Sequence, residues 1–490
     1  MVSTKEQLHV MFLPYMAPGH MMPMVDIARI FAADGVRVTI ITTTRNATPF
    51  QNAIDRDIES GRSIALEILA FPCAEAGLPE GCENLYATPT PEMSMKLFHG
   101  IELLTPQIKR LFYDHHPDCI ASDYLFPWTV DVAVELGIPR LAFSGSGFFN
   151  LCVAYCMEHY QPHSQVSSET ETFVVPSLPH EVRITRSQLP DIVKETNEFS
   201  GLFDKLREAE RNSYGILMNS YYELEAAYVD YYMKVTGTKA WCLGPLSLLH
   251  KCVDDRIESE HSCLHWLDTK KAKSVLYICF GSLSRFSKAQ TSEIANALEE
   301  SGHSFIWVIG KTLKSTNGVE SEDKDQQQEY WLPEGFENRI EESGKGLIVR
   351  GWAPQVLILE HPAIGAFFTH CGWNSILEGL SAGVAFLTWP GFAEQFYNEK
   401  LITQVLKIGV PVGNEHWKVW ATQESPLIGR NEIEKAVRLL MDETDETVEM
   451  RERASQLAEL AKNAVQEGGS SYRNMKALIE DIRNYKHSND

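Results

Sequence analysis

The order of apolar and polar residues divides the chain into alternating strand-like and helix-like segments. Near the start, the apolar run HVMFLP, from His9, precedes MMPMVDIARIFAADG, where apolar residues recur at helical spacing, and then VRVTIITTT, from Val36. Short continuous apolar runs rich in Val, Ile and Thr are typical of strands buried on both faces. We therefore predict a β-α-β unit, which places its two strands parallel in one sheet.

The same alternation recurs along the rest of the chain. It returns at PDCIASD, from Pro117, DVAVELGIP, RLAFSGS and YGILMNSYYELEAAYVDYYM, and restarts at SVLYICFGS, from Ser274, to continue through SFIWVIG, GLIVRGW, AIGAFFTHCG and VAFLTWP. Between the two series, Gly244, Pro245 and an acidic polar stretch mark a domain boundary. Two tandem α/β domains with a ligand cleft between them are expected, because open parallel sheets bind ligands beyond the carboxyl ends of their strands.

The breaks in the pattern give the expected domain limits. The predicted parts are an N-terminal domain (1–247), a linker (248–262), a C-terminal domain (263–470) and a last helix (471–490) that packs back on the N-terminal domain. The helix is expected because apolar residues there recur at spacings of three and four.

Charge and composition exclude several classes of function. Lysine and arginine number 44 against 66 aspartates and glutamates, so the formal net charge is −22. Such a surface repels nucleic-acid phosphates and anionic lipids, and no basic patch offsets it. The sequence has no secretory signal pattern and no apolar run long enough to span a bilayer. Its ten cysteines form no CxxC pair. We expect a cytoplasmic protein with buried free thiols, no membrane insertion and no nucleic-acid partner.

The segment around residue 370 has the features of an anion site. AIGAFFTHCG is predicted to be a buried strand that runs into a tight turn, and WNSILEGLSAG is the helix that follows. The first turn of a helix presents unpaired N–H groups and a positive dipole end, to which His370, Asn374 and Ser375 add side-chain donors. The combination suits a diphosphate held without a metal ion. The alternative is that Asn374 or Ser375 is an ordinary helix N-cap and His370 a core residue.

Residues 352–395 carry motifs that together point to a family. The elements, in order, are WAPQ, HCGWNS, LE, a glycine and a terminal Glu–Gln pair. This stretch resembles the signature box of plant family-1 UDP-glycosyltransferases, which has the same elements. The similarity extends through PYMAPGHMMP, SDYLFPW, WCLGP and CFGS, and it is strongest to the branch that glycosylates triterpenoids, steroids and flavonoids. Ala385, Gly391 and Ile376 depart from the usual proline, bulkier residue and threonine, which bears on acceptor choice more than on activity.

The resemblance implies a GT-B fold, with two Rossmann-like domains facing each other across a cleft and a C-terminal helix. It implies an enzyme that transfers a sugar from a UDP-sugar to a small lipophilic acceptor, without a metal or other cofactor. We expect the protein to be a monomer. Two Asp-x-Asp strings, Asp55 to Asp57 and Asp323 to Asp325, are not expected to bind a metal, because they lie far in sequence from the nucleotide residues.

The resemblance also assigns roles to residues of the second domain. Uracil is expected to stack on Trp352, with the backbone of Ala353 and the nearby Gln355 along its edge. Glu378 is expected to accept both ribose hydroxyls. The implied phosphate-binding residues are Ser282, His370, Asn374 and Ser375, and the implied sugar-facing residues are Trp373, Glu394 and Gln395.

In the first domain, the resemblance points to His20 and Asp123 as the catalytic pair. His20 follows the first strand and the APG turn, and Asp123 ends PDCIASD, so both lie at the carboxyl edge of the predicted sheet. A neutral imidazole can take a proton from a hydroxyl near neutral pH, and a carboxylate on its other nitrogen fixes the tautomer. A single displacement then inverts the anomeric centre. Without the resemblance, His20 would be interpreted as a helix-start residue and Asp123 as a turn residue.

The resemblance favours glucose as the donor sugar, because a glutamine at position 395 usually accompanies glucose in the family. Alternatives are UDP-galactose, UDP-xylose or UDP-glucuronate acting on a saponin glycoside, and, in another class, a non-catalytic small-molecule carrier. A dinucleotide oxidoreductase is disfavoured because MAPGHMM replaces the expected GxGxxG. The apolar candidates for the acceptor pocket in the first domain are Met16, Tyr86, Met95, Phe98, Tyr124, Phe126, Phe148 and Phe149.

Overall fold

The computed structural model describes residues 7–195, 200–249, 262–310, 331–419, 423 and 425–489. Residues 250–261 of the predicted linker and the string Asp323 to Asp325 lie outside the described residues.

Strands and helices alternate in the predicted order. The strands are β1 (His9–Leu13), β2 (Arg37–Thr43), β3 (Ile64–Leu69), β4 (Cys119–Asp123), β5 (Arg140–Ser144), β6 (Thr172–Val174), β7 (Arg183–Thr185), β8 (Gly215–Met218), β9 (Lys239–Cys242), β10 (Val275–Cys279), β11 (Ser304–Ile309), β12 (Gly346–Arg350), β13 (Ile364–Thr369), β14 (Ala385–Thr388) and β15 (Gly409–Pro411). The helices are α1 (Pro18–Ala33), α2 (Thr44–Ala47), α3 (Gln51–Glu59), α4 (Pro91–His115), α5 (Thr129–Leu136), α6 (Phe148–Tyr160), α7 (Asp191–Lys194), α8 (Ser200–Arg211), α9 (Tyr222–Thr236), α10 (Ser262–Asp268), α11 (Lys288–Ser301), α12 (Phe336–Glu342), α13 (Gln355–Glu360), α14 (Trp373–Ala382), α15 (Gln395–Lys400), α16 (Arg430–Met441), α17 (Asp445–Val465) and α18 (Ser470–Asn489). The predicted α/β class is confirmed.

The first sheet has seven parallel strands in the order β3-β2-β1-β4-β5-β8-β9. Every residue of β1 is buried, because successive side chains point to opposite faces and each face carries a core. Val10 and Phe12 belong to the core on one face, and Met11 and Leu13 to the core on the other. This explains why the strand is a continuous apolar run rather than an alternating one.

The second sheet has six parallel strands in the order β12-β11-β10-β13-β14-β15. A separate antiparallel hairpin is formed by β6 and β7. Between β10 and β11 lies α11, which begins after Ser287, whose side chain accepts a hydrogen bond from the N–H of Gln290.

The chain forms two compact units that are discontinuous in sequence. The first comprises 1–148, 196–253 and 463–490, and the second comprises 149–195 and 254–462. They therefore differ from the continuous ranges expected from the sequence. The β6–β7 hairpin accounts for part of this difference, because the backbone N–H and C=O of Arg183 each bond the Gln404 side chain at 2.8 Å within the second unit.

The last helix, α18, belongs to the first unit. It packs on β9 and α9, and Met475, Leu478 and Ile482 join the core on one face of the first sheet. The Ser471 hydroxyl donates to the carbonyl of Gly244 at 2.5 Å. Among the helices of the described ranges, we find none with the length and apolar character needed to span a bilayer.

Candidate active site

Two neighbouring parallel strands bring His20 and Asp123 together. β1 pairs with β4 so that Leu13 lies opposite Ser122, and the residues that follow the two strands share one edge of the sheet. His20 lies in the first turn of α1, and Asp123 is the last residue of β4. The Nδ1 atom of His20 lies 2.7 Å from Oδ2 of Asp123. The two residues singled out in the sequence are therefore hydrogen-bonded.

This hydrogen bond determines where the neutral imidazole carries its proton. An ionised carboxylate only accepts, so the Nδ1–H of His20 donates and the lone pair lies on Nε2. The Asp123 side chain is fully buried, and its Oδ1 accepts the N–H of Leu125 at 3.0 Å. The His20 side chain is 27% exposed. His20 is thus the accessible member of the pair, and Asp123 is its buried partner.

Aromatic rings and a glycine pack around His20. The Tyr15 ring meets it edge to face at 6.0 Å between centroids, and Tyr124 stacks on it at 6.2 Å. Burial, followed by the charge of the Asp123 carboxylate, raises the pKa of the Tyr15 hydroxyl, so Tyr15 stays protonated at neutral pH. A Cβ atom at Gly145 would lie 3.0 Å from Cε1 of His20. The sequence analysis identified neither Tyr15 nor Gly145, since nothing in their local sequence marks a contact with His20.

In the second unit, α14 begins directly after the turn that follows β13. Its N-cap is Gly372, which has no side chain with which to cap the helix. Asn374 and Ser375 lie inside the first turn, so the alternative that one of them is the N-cap is wrong. The first turn of a helix presents backbone N–H groups and a positive dipole end, which suit an anion.

His370 is packed between two glycines. A Cβ atom at Gly281 would lie 2.7 Å from Cε1 of His370, and one at Gly372 would lie 2.5 Å from Nε2. Both distances are too short for any residue with a side chain. Burial lowers the pKa of His370 to about 4, so at neutral pH the ring is an uncharged N–H donor. One edge of the residue stays partly exposed.

Gln355 connects β10 and α14 through its carboxamide. The Tyr277 hydroxyl donates to Oε1 at 3.1 Å, and Nε2 donates to Ser375 Oγ at 3.1 Å and to Glu378 Oε2 at 2.6 Å. Both ends of the amide are thus hydrogen-bonded within the second unit, and the predicted position of Gln355 along the uracil edge stays a prediction. Tyr277 was missed because it lies inside the apolar run of β10 and has the appearance of a core residue.

Burial changes the acidity of Glu378. It raises the pKa of the carboxyl group to about 7, and the hydrogen bond from Gln355 acts in the opposite direction. Glu378 therefore titrates near neutral pH.

Other predicted nucleotide residues differ widely in exposure. Trp352 is 65% exposed, so much of its indole surface is available for stacking. Ser282 is exposed and Ala353 is partly exposed. Trp373 is only 2% exposed. Its indole ring therefore packs in the interior, unlike the ring of Trp352, and does not present an open face to a sugar.

Glu394 and Gln395 follow a tight turn. Gln395 Oε1 accepts the N–H of Gly391 at 2.9 Å and the N–H of Phe392 at 3.2 Å, which identifies the oxygen and leaves Nε2 as the donor end. The Asn398 amide donates to Glu394 Oε1 at 3.3 Å and to the carbonyl of Cys371 at 3.0 Å. Asn398 therefore links the Glu–Gln pair to the turn that carries His370.

The apolar acceptor candidates separate into two groups. Four are at most 4% exposed and form core rather than an open wall: Met16, Phe126, Phe148 and Phe149. Tyr86 and Met95 are 47% and 44% exposed, whereas Phe98 and Tyr124 are partly buried. The N–H of Leu85 donates to the carbonyl of Met16 at 3.0 Å, which places Tyr86 beside the loop that leads to His20.

The first Asp-x-Asp string has a structural explanation. The Asp57 carboxylate is buried and accepts hydrogen bonds from Arg29 Nε at 2.6 Å and Arg62 Nη1 at 2.5 Å. Both of its oxygens are therefore engaged by guanidinium groups.

Comparison with known proteins gives matches over nearly the whole chain. The profile of the family described as "UDP-glucoronosyl and UDP-glucosyl transferase" matches residues 252–410. The chain is 48% identical over 489 residues to UDP-glucosyl transferase 73CC6 of Saponaria officinalis, covering 98% of this chain and 97% of that protein. It is 47% identical to UDP-glucose flavonoid 3-O-glucosyltransferase 7 of Fragaria ananassa, covering 97% and 96%.

A solved structure is similar in fold as well as in sequence. Glycyrrhiza uralensis UGT73P12, complexed with glycyrrhetinic acid 3-O-monoglucuronide, superimposes with a TM-score of 0.91 at 44% identity. The match covers 99% of this chain and 97% of the other.

Proposed function

This chain belongs to the family of plant UDP-glycosyltransferases, as its motifs indicated, and from that premise we propose that it transfers glucose from UDP-glucose to a hydroxyl of a triterpenoid, steroid or flavonoid, with inversion. It is a glycosyltransferase, so the carrier alternative is set aside. The observation that carries the mechanism is the 2.7 Å hydrogen bond between His20 Nδ1 and Asp123 Oδ2. Relatives that are named for flavonoid glucosylation or solved with a triterpenoid glucuronide support the acceptor class.

The proposed reaction is one displacement. Nε2 of His20 takes the proton of the acceptor hydroxyl, and the oxygen attacks the anomeric carbon as the bond to UDP breaks. Asp123 holds the ring in the required tautomer and stabilises the imidazolium that forms. One displacement without an enzyme nucleophile inverts the configuration.

We propose that UDP leaves without help from a metal ion. Its diphosphate would meet the N-terminus of α14, which begins after Gly372, the neutral N–H of His370 and the Ser282 hydroxyl. Fixed neutral donors of this kind stabilise a developing negative charge without reorganisation. Turnover should persist in EDTA; loss of activity that magnesium or manganese restores would contradict this part of the proposal.

Acceptor binding is assigned to the first unit, next to His20. Tyr124 stacks on the His20 ring, and the exposed Tyr86 lies beside the loop before it. A cytosolic location is part of the proposal, supported by buried cysteines of the described ranges that form no disulfide, such as Cys119, Cys242 and Cys371. The chain is proposed to act as a monomer.

A UDP-release assay on the purified protein tests the proposed activity. UDP-glucose and a panel of triterpenoids, steroids and flavonoids should give acceptor-dependent release with at least one panel member. Equal concentrations of UDP-glucose, UDP-galactose, UDP-xylose and UDP-glucuronate test the sugar. A preference of more than about tenfold, worth about 1.4 kcal/mol, for any sugar but glucose would overturn the glucose assignment.

Gln395→Ala is expected to raise the KM for UDP-glucose about tenfold and to leave the Kd for UDP unchanged. The variant removes the Nε2 donor that we assign to a sugar hydroxyl, and a lost polar contact in a closed site costs about 1 to 3 kcal/mol. Gln290→Ala is the matched control, because Gln290 is also buried and both ends of its amide bond the backbone of Ile428. An unchanged KM in Gln395→Ala would place sugar recognition elsewhere.

UDP affinity is expected to rise with pH because of Glu378. Ribose hydroxyls donate to a carboxylate, and the pKa of Glu378 is raised to about 7 by burial. The ionised fraction therefore grows from about one tenth at pH 6 to about nine tenths at pH 8, and Kd should fall about tenfold over that interval. Glu378→Gln has no such titration, so calorimetry should show a flatter profile that contains only the titration of UDP. Parallel profiles in the two proteins would disprove the role of Glu378.

A further inference from the structure

The turn before Glu394 and Gln395 is held by a second segment of the same unit. We call residues 390–393 the sugar turn and residues 414–418 the clamp segment. The hydrogen bonds from the clamp segment to carbonyls of the sugar turn are Asn414 Nδ2 to Pro390 at 2.5 Å, Lys418 N to Gly391 at 2.9 Å and Trp417 Nε1 to Ala393 at 2.9 Å. Three carbonyls of the four-residue sugar turn thus accept hydrogen bonds from the clamp segment.

The last residue of the sugar turn has an unfavourable backbone conformation. Ala393 has a φ of 51°, in the left-handed region that costs a residue with a Cβ about 1 kcal/mol. Such a conformation persists only where its surroundings enforce it. The Trp417 indole N–H binds the carbonyl of the peptide that joins Ala393 to Glu394, so it fixes the peptide plane that aims the Glu–Gln pair.

The sugar turn also orients the Gln395 side chain. Its Oε1 accepts the N–H groups of Gly391 and Phe392, and a change in either N–H direction would rotate the amide. The direction of the Nε2 donor therefore depends on the shape of the turn, and the shape depends on the clamp segment.

The clamp segment is itself fixed within the second unit. The backbone N–H of Trp417 donates to the carbonyl of Ser187 at 3.0 Å. Ser187 lies in a short turn after β7 that is closed by a capping box between Thr185 and Gln188. The indole N–H is thus presented from an anchored backbone.

We propose that Trp417 is a positioning residue for donor-sugar recognition, whose indole N–H keeps the sugar turn in the conformation that directs Gln395 and Glu394 at the hexose. This inference rests on the proposed assignment of those two residues to the sugar. The role proposed for Trp417 is exerted through its hydrogen bond to the turn, at the carbonyl of Ala393.

Trp417→Phe tests this role because it keeps a ring and removes the N–H donor. We expect the KM for UDP-glucose to rise about fivefold, as for loss of one hydrogen bond, and the preference for UDP-glucose over UDP-galactose to fall by a similar factor. The Kd for UDP should stay within about twofold, which also shows that the variant is folded. The control is Trp266→Phe, a partly exposed tryptophan of α10. Asn414→Leu, which removes the bond to Pro390, is the second variant and should act in the same direction.

Gln395→Ala in the same assay separates two kinds of failure. If Gln395→Ala raises the KM while Trp417→Phe and Asn414→Leu leave both KM and sugar preference unchanged, the positioning role is overturned alone. If no variant, Gln395→Ala included, changes the KM, the sugar assignment of Glu394 and Gln395 fails, and this inference fails with it.

Discussion

His20→Ala is expected to lower kcat at least about a hundredfold while the Kd for UDP barely changes, because loss of a general base affects the proton transfer and not nucleotide binding. Single-turnover kinetics and calorimetry with UDP measure the two quantities separately. The matched control is His115→Ala. His115 is 26% exposed and lies 3.2 Å from the carboxylate of Glu67, so it resembles the His20–Asp123 pair in chemistry but lies in the last turn of α4. Full turnover in His20→Ala would mean that another group is the base.

Asp123→Asn should lower kcat in the same direction but less severely. The substitution leaves the imidazole in place and removes the charge that stabilises the imidazolium, and an amide can present N–H to Nδ1 and so select the wrong tautomer. A loss that exceeds the loss in His20→Ala would instead indicate a damaged sheet edge, since Asp123 Oδ1 also accepts the N–H of Leu125.

Gly372→Ala is expected to raise the Kd for UDP at least about fivefold, since overpacking costs about 1 to 3 kcal/mol. The added Cβ would lie 2.5 Å from Nε2 of His370, so the ring must leave the position next to the start of α14. The backbone itself tolerates alanine, because Gly372 has a φ of −64° and a ψ of 138°. The effect therefore reports on the start of α14 and the His370 ring packed against it.

Gly201→Ala in α8 is the control for Gly372→Ala, because a Cβ there meets no atom within 4 Å. Its UDP affinity should equal that of the unmodified protein. If Gly372→Ala also binds UDP normally, His370 does not contribute to the diphosphate site.

The sequence predicted the sheets well because their strands are buried on both faces. Runs such as HVMFL and AFFT contain almost no polar residue, and the helices between them end at glycines with left-handed backbone, such as Gly302 and Gly383. The order of strands in space is not contained in this pattern. That His20 and Asp123 meet depends on the adjacency of β1 and β4, which the resemblance implied and hydropathy alone did not.

Contacts between distant segments account for what the sequence did not predict. Gly281 and Gly372 lie in motifs quoted from the sequence, but their role in admitting the His370 ring appears only when both sides of the ring are seen. Gln355 is predicted to lie at the base, and its amide bonds to Tyr277 and Glu378 were not predicted from the sequence. Each case includes a partner that is distant along the chain, Gly281 for His370 and Tyr277 for Gln355.

The sequence pattern also did not predict which aromatic residues are buried. Phe126 and Phe148 are apolar residues near the ends of first-sheet strands, as pocket residues would be, and they are at most 2% exposed. Tyr86 has the same apolar character and is 47% exposed. Residue type alone cannot separate core from pocket, because both bury aromatic area.

The anomeric configuration of the product is the most direct test of the central claim, a single displacement with His20 as base. The purified protein is incubated with UDP-glucose, in which the sugar is α-linked, and with an acceptor found in the UDP-release assay, and the product is examined by proton NMR. The account predicts a β-glucoside formed together with one equivalent of UDP. An α-glucoside would contradict it, because retention requires an enzyme nucleophile and a second displacement.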